Sequence, residues 1–363
     1  MSFPINLVIL GCGTIGRALV HLASKMDCVK TISVLDSSRD GLDRIDACNY
    51  ANVTTSHLLL NYEGGFGFSI PNYAQNDSKI VVINALPHYL TAVIAADCVA
   101  RGFDYFDLTE DVNQVAEIKK LIERNPKQVL LAPQQGLAPG AINVIAAGLI
   151  AKSGESYLEQ VKLYVGAITP QPYPPLDYAI TWSIDGLVNE YFHKSRAIID
   201  GYLVDVEPLG GYEQTLIGDH VYEAFYTAGG LGSLTDTVKA KNLSYKTVRF
   251  VGHRDKIKFL INDLKMDQPQ LREVIAQSVP RASVDEVVMK ARVESTRGDL
   301  YTWEKKIPRT AELSAIQLTT ASGVLATLEL HAKGLLPKTS GFLYHTEINA
   351  DLFLSTQHGQ IFE

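Results

Sequence analysis

The sequence predicts an α/β fold with a doubly wound parallel sheet, followed by a second α+β domain with a mixed or antiparallel sheet. Three observations predict it. A β-rich apolar run at residues 5–10 leads directly into the glycine pattern of residues 11–16 and then into an amphipathic helical segment. Apolar runs and helical segments then alternate with short links up to residue 132, which favours a parallel sheet. Beyond residue 157 the strands are longer and partly alternating, as in a sheet with one covered face.

The glycine pattern Gly11-Cys12-Gly13-Thr14-Ile15-Gly16 fits G-x-G-x-x-G, and each glycine has a physical role. Gly11 permits the tight strand-to-helix turn, Gly13 lets a pyrophosphate approach the backbone, and Gly16 lets helix and strand pack closely. The following helix directs its N–H groups and the positive end of its dipole at the phosphates. Asp36 lies about 20 residues further on, where a carboxylate can accept hydrogen bonds from the adenosine ribose. We therefore expect a Rossmann domain that binds a dinucleotide.

The identity of the dinucleotide depends on the residues that follow the second strand. NAD is favoured over NADP because the Asp36 carboxylate would repel a ribose 2′-phosphate, whereas Arg39 could meet such a phosphate. Ligands of doubly wound sheets lie beyond the carboxyl ends of the strands, so the later strand exits should border the same cofactor. The predicted cofactor-binding residues are Gly11, Gly13, Thr14, Ile15, Gly16, Asp36, Ala85, Leu86, Pro87, Asp107, Thr109, Gly136 and Pro139.

The first part of the chain is predicted to alternate strictly between strands and helices. The predicted elements are strands at Ile5–Leu10, Thr31–Leu35, Ser56–Tyr62, Lys79–Ala85, Phe103–Leu108 and Gln128–Ala132, a turn at Glu63–Gly67, and helices at Arg17–Met26, Leu42–Cys48, Thr91–Arg101 and Val112–Arg124. Gly102 should end the third helix, Asp111 should be the N-cap of the fourth, and Pro126 should stop it.

Glycines and prolines between Pro133 and Gly140 mark a crossing into a second region. The elements predicted beyond it are a helix at Ala141–Ala151, strands at Gln160–Ile168 and Val287–Ser295, and a long helix at Ala315–Ala332 that is interrupted at Ser322-Gly323. The predicted domains are a dinucleotide-binding Rossmann domain at 1–133, a substrate, catalytic and dimerisation domain at 134–314, and a helical return to the Rossmann domain at 315–363.

Composition and charge exclude several classes of function. The 363 residues carry a formal net charge of −7, which argues against a nucleic-acid partner. No apolar run approaches the roughly 18 residues of a membrane span, so no membrane association is expected. The four cysteines form no C-x-x-C pair, and the start MSFPIN has no signal-peptide pattern. A cytoplasmic location and a site without metal are therefore expected.

Several segments together carry a resemblance to a known family. They are GCGTIG at 11–16, GLAPGAINVIA at 136–146, LYVGAITPQPYPPLDYAITWSIDGLVNEY at 163–191, EAFYTAGGLGSL at 223–234, YKTVRFVGH at 245–253 and TTA at 319–321. With these segments the chain resembles the saccharopine dehydrogenase-like family, and within it most of all the L-lysine 6-dehydrogenases. The resemblance implies a Rossmann domain joined to a mixed-sheet catalytic domain, and a homodimer or larger homo-oligomer. It also implies NAD-dependent oxidation of the 6-amino group of L-lysine to 2-aminoadipate 6-semialdehyde.

Oxidation of a C–N bond requires a neutral amine, and a lysine ammonium has a solution pKa of about 10.4, so a base is needed. The candidate catalytic residues are Glu110 at the exit of the fifth strand, His253 and Tyr178. The candidates for binding an amino-acid substrate are Arg249, whose guanidinium suits a carboxylate, and Asp177, Trp182, Gly229 and Gly230. Helix capping, core packing, an ordinary ion pair and a plain loop are the structural alternatives at these positions.

Three functions stay open at this point. The first is the oxidative deamination of L-lysine. The second is a saccharopine or carboxynorspermidine-type dehydrogenase, which handles a secondary amine, in the saccharopine branch usually with NADP. The third is a regulatory protein that binds a dinucleotide without chemistry. Its support is Thr109-Glu110, which stands where the lysine enzymes tend to have a glycine pair.

Overall fold

The structure, a computed structural model, describes residues 3–57, 79–125 and 127–363, and the chain divides into two compact units. The first unit consists of Met1–Ala141 with Thr320–Ile361, and the second of Ile142–Thr319. The first unit thus extends beyond residue 133 and includes the loop that contains Gly136 and Pro139.

The first unit is built on a parallel sheet that has seven strands within the described ranges. They are β1 (Ile5–Leu10), β2 (Val29–Asp36), β3 (Val53–His57), β4 (Lys79–Asn84), β5 (Asp104–Asp107), β6 (Leu130–Ala132) and β15 (Gly341–Phe342). Their order is β15-β6-β5-β4-β1-β2-β3, and all of the pairs are parallel. The strand order reverses between β1 and β4, and in doubly wound sheets such a switch point is where the ligand binds. There Leu10 pairs with Asn84, and Asn84 pairs with Asp107.

The helices of the first unit follow the strands as the pattern predicts. They are α1 (Thr14–Ala23), α2 (Arg39–Asp46), α3 (Thr91–Arg101), α4 (Val112–Lys120) and α11 (Ala350–Leu354), with 3₁₀ turns at His88–Leu90, Leu121–Arg124, His345–Glu347 and Gly359–Phe362. Asp111 is confirmed as the N-cap of α4, because its carboxylate accepts hydrogen bonds from the N–H groups of Asn113 (2.8 Å) and Gln114 (3.0 Å). Gly102 ends α3 in the left-handed conformation, with φ of 81°.

The second unit is built on a mixed sheet. Its strands are β7 (Leu158–Ile168), β8 (Ser195–Ile199), β9 (Tyr202–Val206), β10 (Glu213–Ile217), β11 (His220–Phe225), β12 (Ala240–Phe250), β13 (Glu286–Ser295) and β14 (Leu300–Pro308). The main path is β10-β11-β12-β7-β13-β14, and β8 pairs with both β12 and β9. The central β12–β7 pair is parallel and the other pairs are antiparallel, so the predicted mixed sheet is confirmed.

Helical residues of the second unit pack on β11 of this sheet, because Phe225 lies in one hydrophobic cluster with them. The remaining helices of the chain are α5 (Ala141–Ser153), α6 (Ile184–Phe192), α7 (Leu234–Thr237), α8 (His253–Lys258), α9 (Gln268–Ser278) and α10 (Ala315–Ala332), with a π-helical turn at Phe259–Asp263. Ser183 starts α6 because its hydroxyl accepts a hydrogen bond from Gly186 N–H at 3.2 Å. Leu187 and Tyr191 of α6 then pack with Leu271 of α9 in one hydrophobic cluster, since residues four apart share a helix face.

Three kinds of difference separate the predicted from the observed elements, the first being helix starts, where α2 begins at Arg39 rather than Leu42. Helix α1 begins at Thr14 rather than Arg17, directly after the glycine turn. The interruption predicted at Ser322-Gly323 is wrong, because α10 runs unbroken from Ala315 to Ala332. A Cβ on Gly323 would lie 2.0 Å from the carbonyl oxygen of Gly136, so this glycine makes room for a neighbouring backbone instead of ending the helix.

The third difference concerns the strand predicted at Ser56–Tyr62. It is observed as β3 as far as His57, and the rest of it, the turn predicted at Glu63–Gly67 and Pro126 lie outside the described residues. Among the residues that the structure does describe, no helix is both long enough and apolar enough to cross a membrane.

Candidate functional site

Two of the three glycines in the loop after β1 are required by the protein's own packing. Gly11 has φ of +99°, and a Cβ there would lie 2.9 Å from the carbonyl oxygen of Ala85. A Cβ on Gly16 would lie 1.9 Å from the carbonyl oxygen of Gly11, closer than any side chain allows. The loop is therefore held tightly against the exit of β4 and against the first turn of α1.

Gly13 differs from these two glycines. A Cβ added to Gly13 would meet no atom within 4 Å, so packing does not explain the missing side chain. Gly13 is the exposed N-cap of α1, whose first turn contains no acidic residue. An open backbone at the positive end of a helix suits a phosphate group. The residues present therefore fit a dinucleotide, with Gly13 where its pyrophosphate would approach.

Asp36 ends β2 and is bound to the glycine loop. The Cys12 N–H donates to Asp36 Oδ2 at 2.6 Å, and the Ser38 N–H donates to Oδ1 at 2.7 Å. These two bonds fix the orientation of the carboxylate, and each oxygen keeps a second lone pair for a ribose hydroxyl. Arg39 is the first residue of α2, three positions further on.

The exits of β4 and β5 form the next part of this edge. At β4, Leu86 N–H donates to Asn84 Oδ1 at 3.1 Å, which shapes the turn that contains Ala85, Leu86 and Pro87. At β5, the Oδ1 of the buried Asp107 accepts hydrogen bonds from Thr109 N–H (2.9 Å) and Gln134 N–H (2.8 Å). Burial raises the pKa of Asp107 to about 6, although both backbone bonds lower it.

The loop after β6 is the last predicted part of the cofactor site. Ala141 N–H donates to the carbonyl oxygen of Gly136 at 2.9 Å, and a Cβ on Gly140 would lie 2.0 Å from the same oxygen. Pro139 is buried in this turn. The buried His345 bonds the carbonyl oxygen of Gln134 through Nε2 at 2.9 Å. The predicted cofactor residues thus all lie in the first unit, in its glycine loop, strand exits and following turns, and their role in binding stays a prediction.

In the second unit, three predicted residues meet in a buried group that we call the inner cluster: Tyr178, Glu190, Tyr191, Arg249 and His253. His253 Nδ1 lies 2.8 Å from the carbonyl oxygen of Leu176, and its Nε2 lies 2.8 Å from the Tyr191 hydroxyl. A carbonyl oxygen only accepts, so Nδ1 carries the hydrogen and Nε2 accepts the hydroxyl proton of Tyr191. Burial and the Arg249 charge lower the pKa of His253 to about 3, and the imidazole is therefore neutral.

The charged half of the inner cluster is an ion pair. Arg249 of β12 donates through Nη2 to Glu190 Oε2 at 3.2 Å and through Nη1 to the carbonyl oxygen of Val248 at 2.9 Å. Its guanidinium also lies 5.0 Å from the centre of the Tyr178 ring. Burial raises the pKa of Glu190 to about 7, although the Arg249 charge lowers it. If Arg249 also bound the carboxylate of a substrate, its guanidinium would have to bind that carboxylate and Glu190 at the same time.

Glu190 and Tyr191 were not predicted as site residues. The sequence does contain a signal for Glu190. This residue lies beside buried apolar positions of α6, where burial of an unpaired carboxylate costs free energy of folding. An acid in such a position needs a cation from elsewhere in the fold, and its partner Arg249 is 59 residues away in the chain.

The other predicted residues have different surroundings. Glu110 is exposed in the link between β5 and α4. Asp177 pairs with Lys256 Nζ at 2.5 Å, and the half-buried Trp182 packs so closely on Gly186 that a Cβ there would lie 2.3 Å from the indole ring. Gly230 packs against Tyr245, since a Cβ on Gly230 would lie 2.1 Å from the Tyr245 ring. Gly229, with φ of +85°, precedes it.

The described part of the chain contains no group of three or more His, Cys, Asp or Glu side chains that could hold a metal ion. The predicted catalytic residues are divided between the two units, with Glu110 in the first and His253 and Tyr178 in the second. The catalytic and substrate-binding assignments therefore stay predictions.

Comparison with known families agrees with this architecture. Residues 7–129 match the model of the saccharopine dehydrogenase NADP binding domain. Residues 136–345 match the model of the saccharopine dehydrogenase C-terminal domain, which covers more than half of the chain. The fold and the glycine loop define a nicotinamide-dinucleotide-binding oxidoreductase. The chain belongs to the saccharopine dehydrogenase family.

One solved structure has the same fold. Saccharopine dehydrogenase (L-Glu forming) from Saccharomyces cerevisiae matches with a TM-score of 0.71 and 14% identity, over 96% of each chain. A probable dehydrogenase from Thermotoga maritima matches with a TM-score of 0.47 and 11% identity, over 93% of this chain and 91% of that one. A myo-inositol dehydrogenase from Corynebacterium glutamicum has a TM-score of 0.46 and 13% identity, over 98% and 96%. The match to the yeast enzyme confirms the predicted α/β fold.

Proposed function

We propose that this protein is an NAD-dependent dehydrogenase that oxidises the 6-amino group of L-lysine to 2-aminoadipate 6-semialdehyde. One observation carries the proposal. The two segments that most resemble L-lysine 6-dehydrogenases, 163–191 and 245–253, supply the whole inner cluster. Tyr178, Glu190 and Tyr191 come from the first segment, and Arg249 and His253 from the second. The segments that carry the resemblance therefore also bring a buried glutamate, a histidine and an arginine together.

The proposed cofactor is NAD rather than NADP. The Asp36 carboxylate is held by the N–H groups of Cys12 and Ser38, so it cannot easily turn away from a ribose at the end of β2. A carboxylate in this position accepts from a 2′-hydroxyl and repels a 2′-phosphate. The matching domain model is that of an NADP binding domain, and Arg39 could bind a 2′-phosphate. Measuring both cofactors therefore tests the proposed preference for NAD over NADP.

The chemistry assigns separate tasks to the bound cofactor and to the protein. NAD, when bound, accepts a hydride. The protein must bind the amino acid, convert its 6-ammonium group to the neutral amine, and admit water to the resulting iminium carbon. The overall reaction is R–CH₂–NH₃⁺ + NAD⁺ + H₂O → R–CHO + NH₄⁺ + NADH + H⁺. Gly11, Gly13, Gly16 and Asp36 would hold the dinucleotide.

The proposal is tested by following NADH absorbance with L-lysine and a panel of other diamino acids, with NAD and NADP in parallel. We expect turnover with L-lysine and NAD, together with equal amounts of ammonia, semialdehyde and NADH. Ornithine, which is one methylene shorter, is the matched control for chain length. A missing methylene in an apolar pocket changes specificity by roughly 10–200-fold.

The other outcomes separate the alternatives. Turnover of saccharopine but not of lysine, or a need for a keto acid or aldehyde plus an amine in the reductive direction, would make the protein a secondary-amine dehydrogenase. Tight binding of NADH with no turnover on any amine would favour a regulatory protein without chemistry. Either result would overturn the lysine assignment.

A further inference from the structure

The inner cluster contains more charge than packing requires. It adjoins a hydrophobic cluster of the second unit, where apolar side chains would be the default, yet it includes an arginine, a glutamate and a histidine. Burying a charge costs several kcal/mol unless it is paired. Pairing Glu190 with Arg249 offsets that cost, but two apolar residues would do as well or better for stability alone. The ion pair therefore calls for an explanation in chemistry.

His253 cannot easily act as a proton acceptor in this arrangement. Its Nδ1 hydrogen is bound to the carbonyl oxygen of Leu176, and the lone pair of Nε2 is occupied by the Tyr191 hydroxyl. It is 0% exposed, and the ring of Phe225 is stacked on it at 6.5 Å between centroids. In this geometry His253 holds the Tyr191 hydroxyl in place. Tyr191 in turn positions the side of the inner cluster that contains the Arg249 guanidinium.

Glu190 is the more exposed residue of the buried ion pair. Its side chain is 11% exposed, whereas that of Arg249 is 3% exposed. It faces Arg249 of β12, Tyr178 from the segment before α6 and Tyr191 of its own helix; Arg272 of α9 is bound to Asp185 instead. Among the described residues, the cationic group bonded to Glu190 is the guanidinium of Arg249, which orients the carboxylate and stabilises its charged form.

We propose that Glu190 is the catalytic base that removes a proton from the ammonium group of the substrate, with Arg249 and His253 as positioning residues. This inference rests on the proposed function. In the step, the Glu190 carboxylate takes one proton from R–CH₂–NH₃⁺ and becomes a carboxylic acid, while the substrate becomes the neutral amine. The bound cofactor would accept the hydride from the C–H group of this amine. After water has added to the resulting iminium carbon and ammonia has left, Glu190 returns its proton to the solvent.

The acidity of Glu190 suits this task. Burial raises its pKa to about 7 against the opposing effect of Arg249, which places the equilibrium between acid and carboxylate near neutral pH. A base whose pKa lies near the working pH combines a usable fraction of carboxylate with a strong tendency to accept the proton. An acid that served stability alone would gain from a lower pKa, since its charged form makes the better ion pair.

The decisive experiment compares Glu190→Gln and Glu190→Asp with the wild type in the full-length protein. Glu190→Gln should lower kcat/KM for L-lysine by about 10²–10⁴-fold, the usual range for a general base. The wild type should lose activity as pH falls below about 7, and this inflection near pH 7 should be absent from the profile of Glu190→Gln. The variant should instead become more active up to the pKa of the free amine, about 10.4, because it can use only neutral substrate. Glu190→Asp should keep the inflection.

A matched control and a measurement without turnover complete the test. Glu286→Gln removes another acid of the second unit whose pKa is raised by burial, and it should leave the pH profile unchanged. NADH binding, measured by fluorescence, should be the same in Glu190→Gln and the wild type. A Glu190→Gln protein that keeps both the inflection near pH 7 and most of its kcat/KM would overturn the assignment while the lysine reaction stands. A wild type that oxidises no amine would overturn both, and this result is distinguishable because it precedes any variant.

Discussion

Two buried acids, one in each unit, are held in different ways. Asp107, at the end of β5 in the first unit, accepts hydrogen bonds from two backbone N–H groups, those of Thr109 and Gln134. Glu190, on α6 in the second unit, is bound by the side chain of Arg249. Both carboxyl groups are desolvated, and both have a raised pKa, about 6 for Asp107 and about 7 for Glu190.

The different partners of Asp107 and Glu190 separate interactions that depend on the fold from interactions that depend on particular side chains. Backbone donors at a strand exit are fixed once the parallel sheet forms, whatever the sequence of the loop. An arginine donor exists only if one residue is retained at one position of a distant strand. We therefore expect the surroundings of Glu190 to be more sensitive to single substitutions than those of Asp107.

Arg249→Met is the substitution with the largest expected effect. It leaves the Glu190 carboxylate buried without its cation, and breaking a buried pair in this way costs about 3–5 kcal/mol of unfolding free energy. The loss should be largest above pH 7, because at lower pH Glu190 can take up a proton and become neutral. Urea denaturation at pH 5 and pH 8 measures both the loss and its pH dependence.

The control for this prediction is Arg272→Met. Arg272 pairs with Asp185 between α9 and α6 in the same unit, but the two side chains are 54% and 66% exposed. An exposed pair contributes about 0–1 kcal/mol, so this variant should be close to the wild type. Equal losses from both variants would mean that the buried pair has no special importance. The double variant Glu190→Gln with Arg249→Met should recover part of the loss.

Asp107→Asn tests the acid held by the backbone. The folded-state pKa of Asp107 is raised from 3.8 to about 6, so its protonated form stabilises the fold below pH 3.8, and this stabilisation is lost as pH rises through 6. At about 1.36 kcal/mol per pKa unit, the loss is on the order of 3 kcal/mol. The asparagine variant lacks it, so the wild type should become less stable relative to Asp107→Asn between pH 4 and pH 7.

Asp104→Asn, at the other end of the same strand, should show the opposite slope. Burial would raise the pKa of Asp104, but the hydrogen bond from His331 (2.7 Å), the Leu130 N–H and Lys79 together lower it. Its charged form therefore stabilises the fold, and that contribution is lost as pH falls. Two slopes of the same sign in urea titrations would contradict the contrast between these acids.

The same contrast explains what the sequence could predict. The strand–helix alternation, the glycine turn and the cap at Asp111 follow from local patterns, because the residues that form each of them are close together in the chain. The hydrogen bonds of the inner cluster join Glu190 to Arg249 and His253 to Leu176, and these pairs are 59 and 77 residues apart in the chain. No spacing rule predicts such a pairing, so His253 was considered as an acid or base while its bonds to Leu176 and Tyr191 stayed hidden.

Gly323 shows the same limit for a single residue. Within α10, a serine followed by a glycine is a typical helix-breaking pattern, and it predicts an interruption. The structure instead uses the glycine for a close approach to Gly136, which is 187 positions earlier in the chain. A local pattern predicts the conformation that a residue permits, but not the neighbour that requires it.

Asp36→Ala has the smallest expected effect and tests the backbone-held acid that faces the cofactor. Hydrogen bonds to charged groups contribute about 1.5–3 kcal/mol, so NADH binding should weaken by at least about 10-fold. The ratio of NADH to NADPH affinity should fall further than NADH affinity alone, because the repulsion of a 2′-phosphate is removed. Fluorescence titration with both nucleotides measures the two effects.

Two further variants decide what a change at Asp36 means. Asp36→Asn keeps one oxygen, which can accept from either the Cys12 or the Ser38 N–H group, but it loses the other bond and the charge. If the charge sets the preference for NAD, Asp36→Asn should relax that preference as much as Asp36→Ala while binding NADH more tightly. Asp40→Ala, which removes an exposed acid paired with Arg44 on α2, should change neither affinity. An unchanged preference for NAD in both Asp36 variants would mean that Asp36 serves only to hold the loop, and the backbone-held acids of the first unit would then be structural.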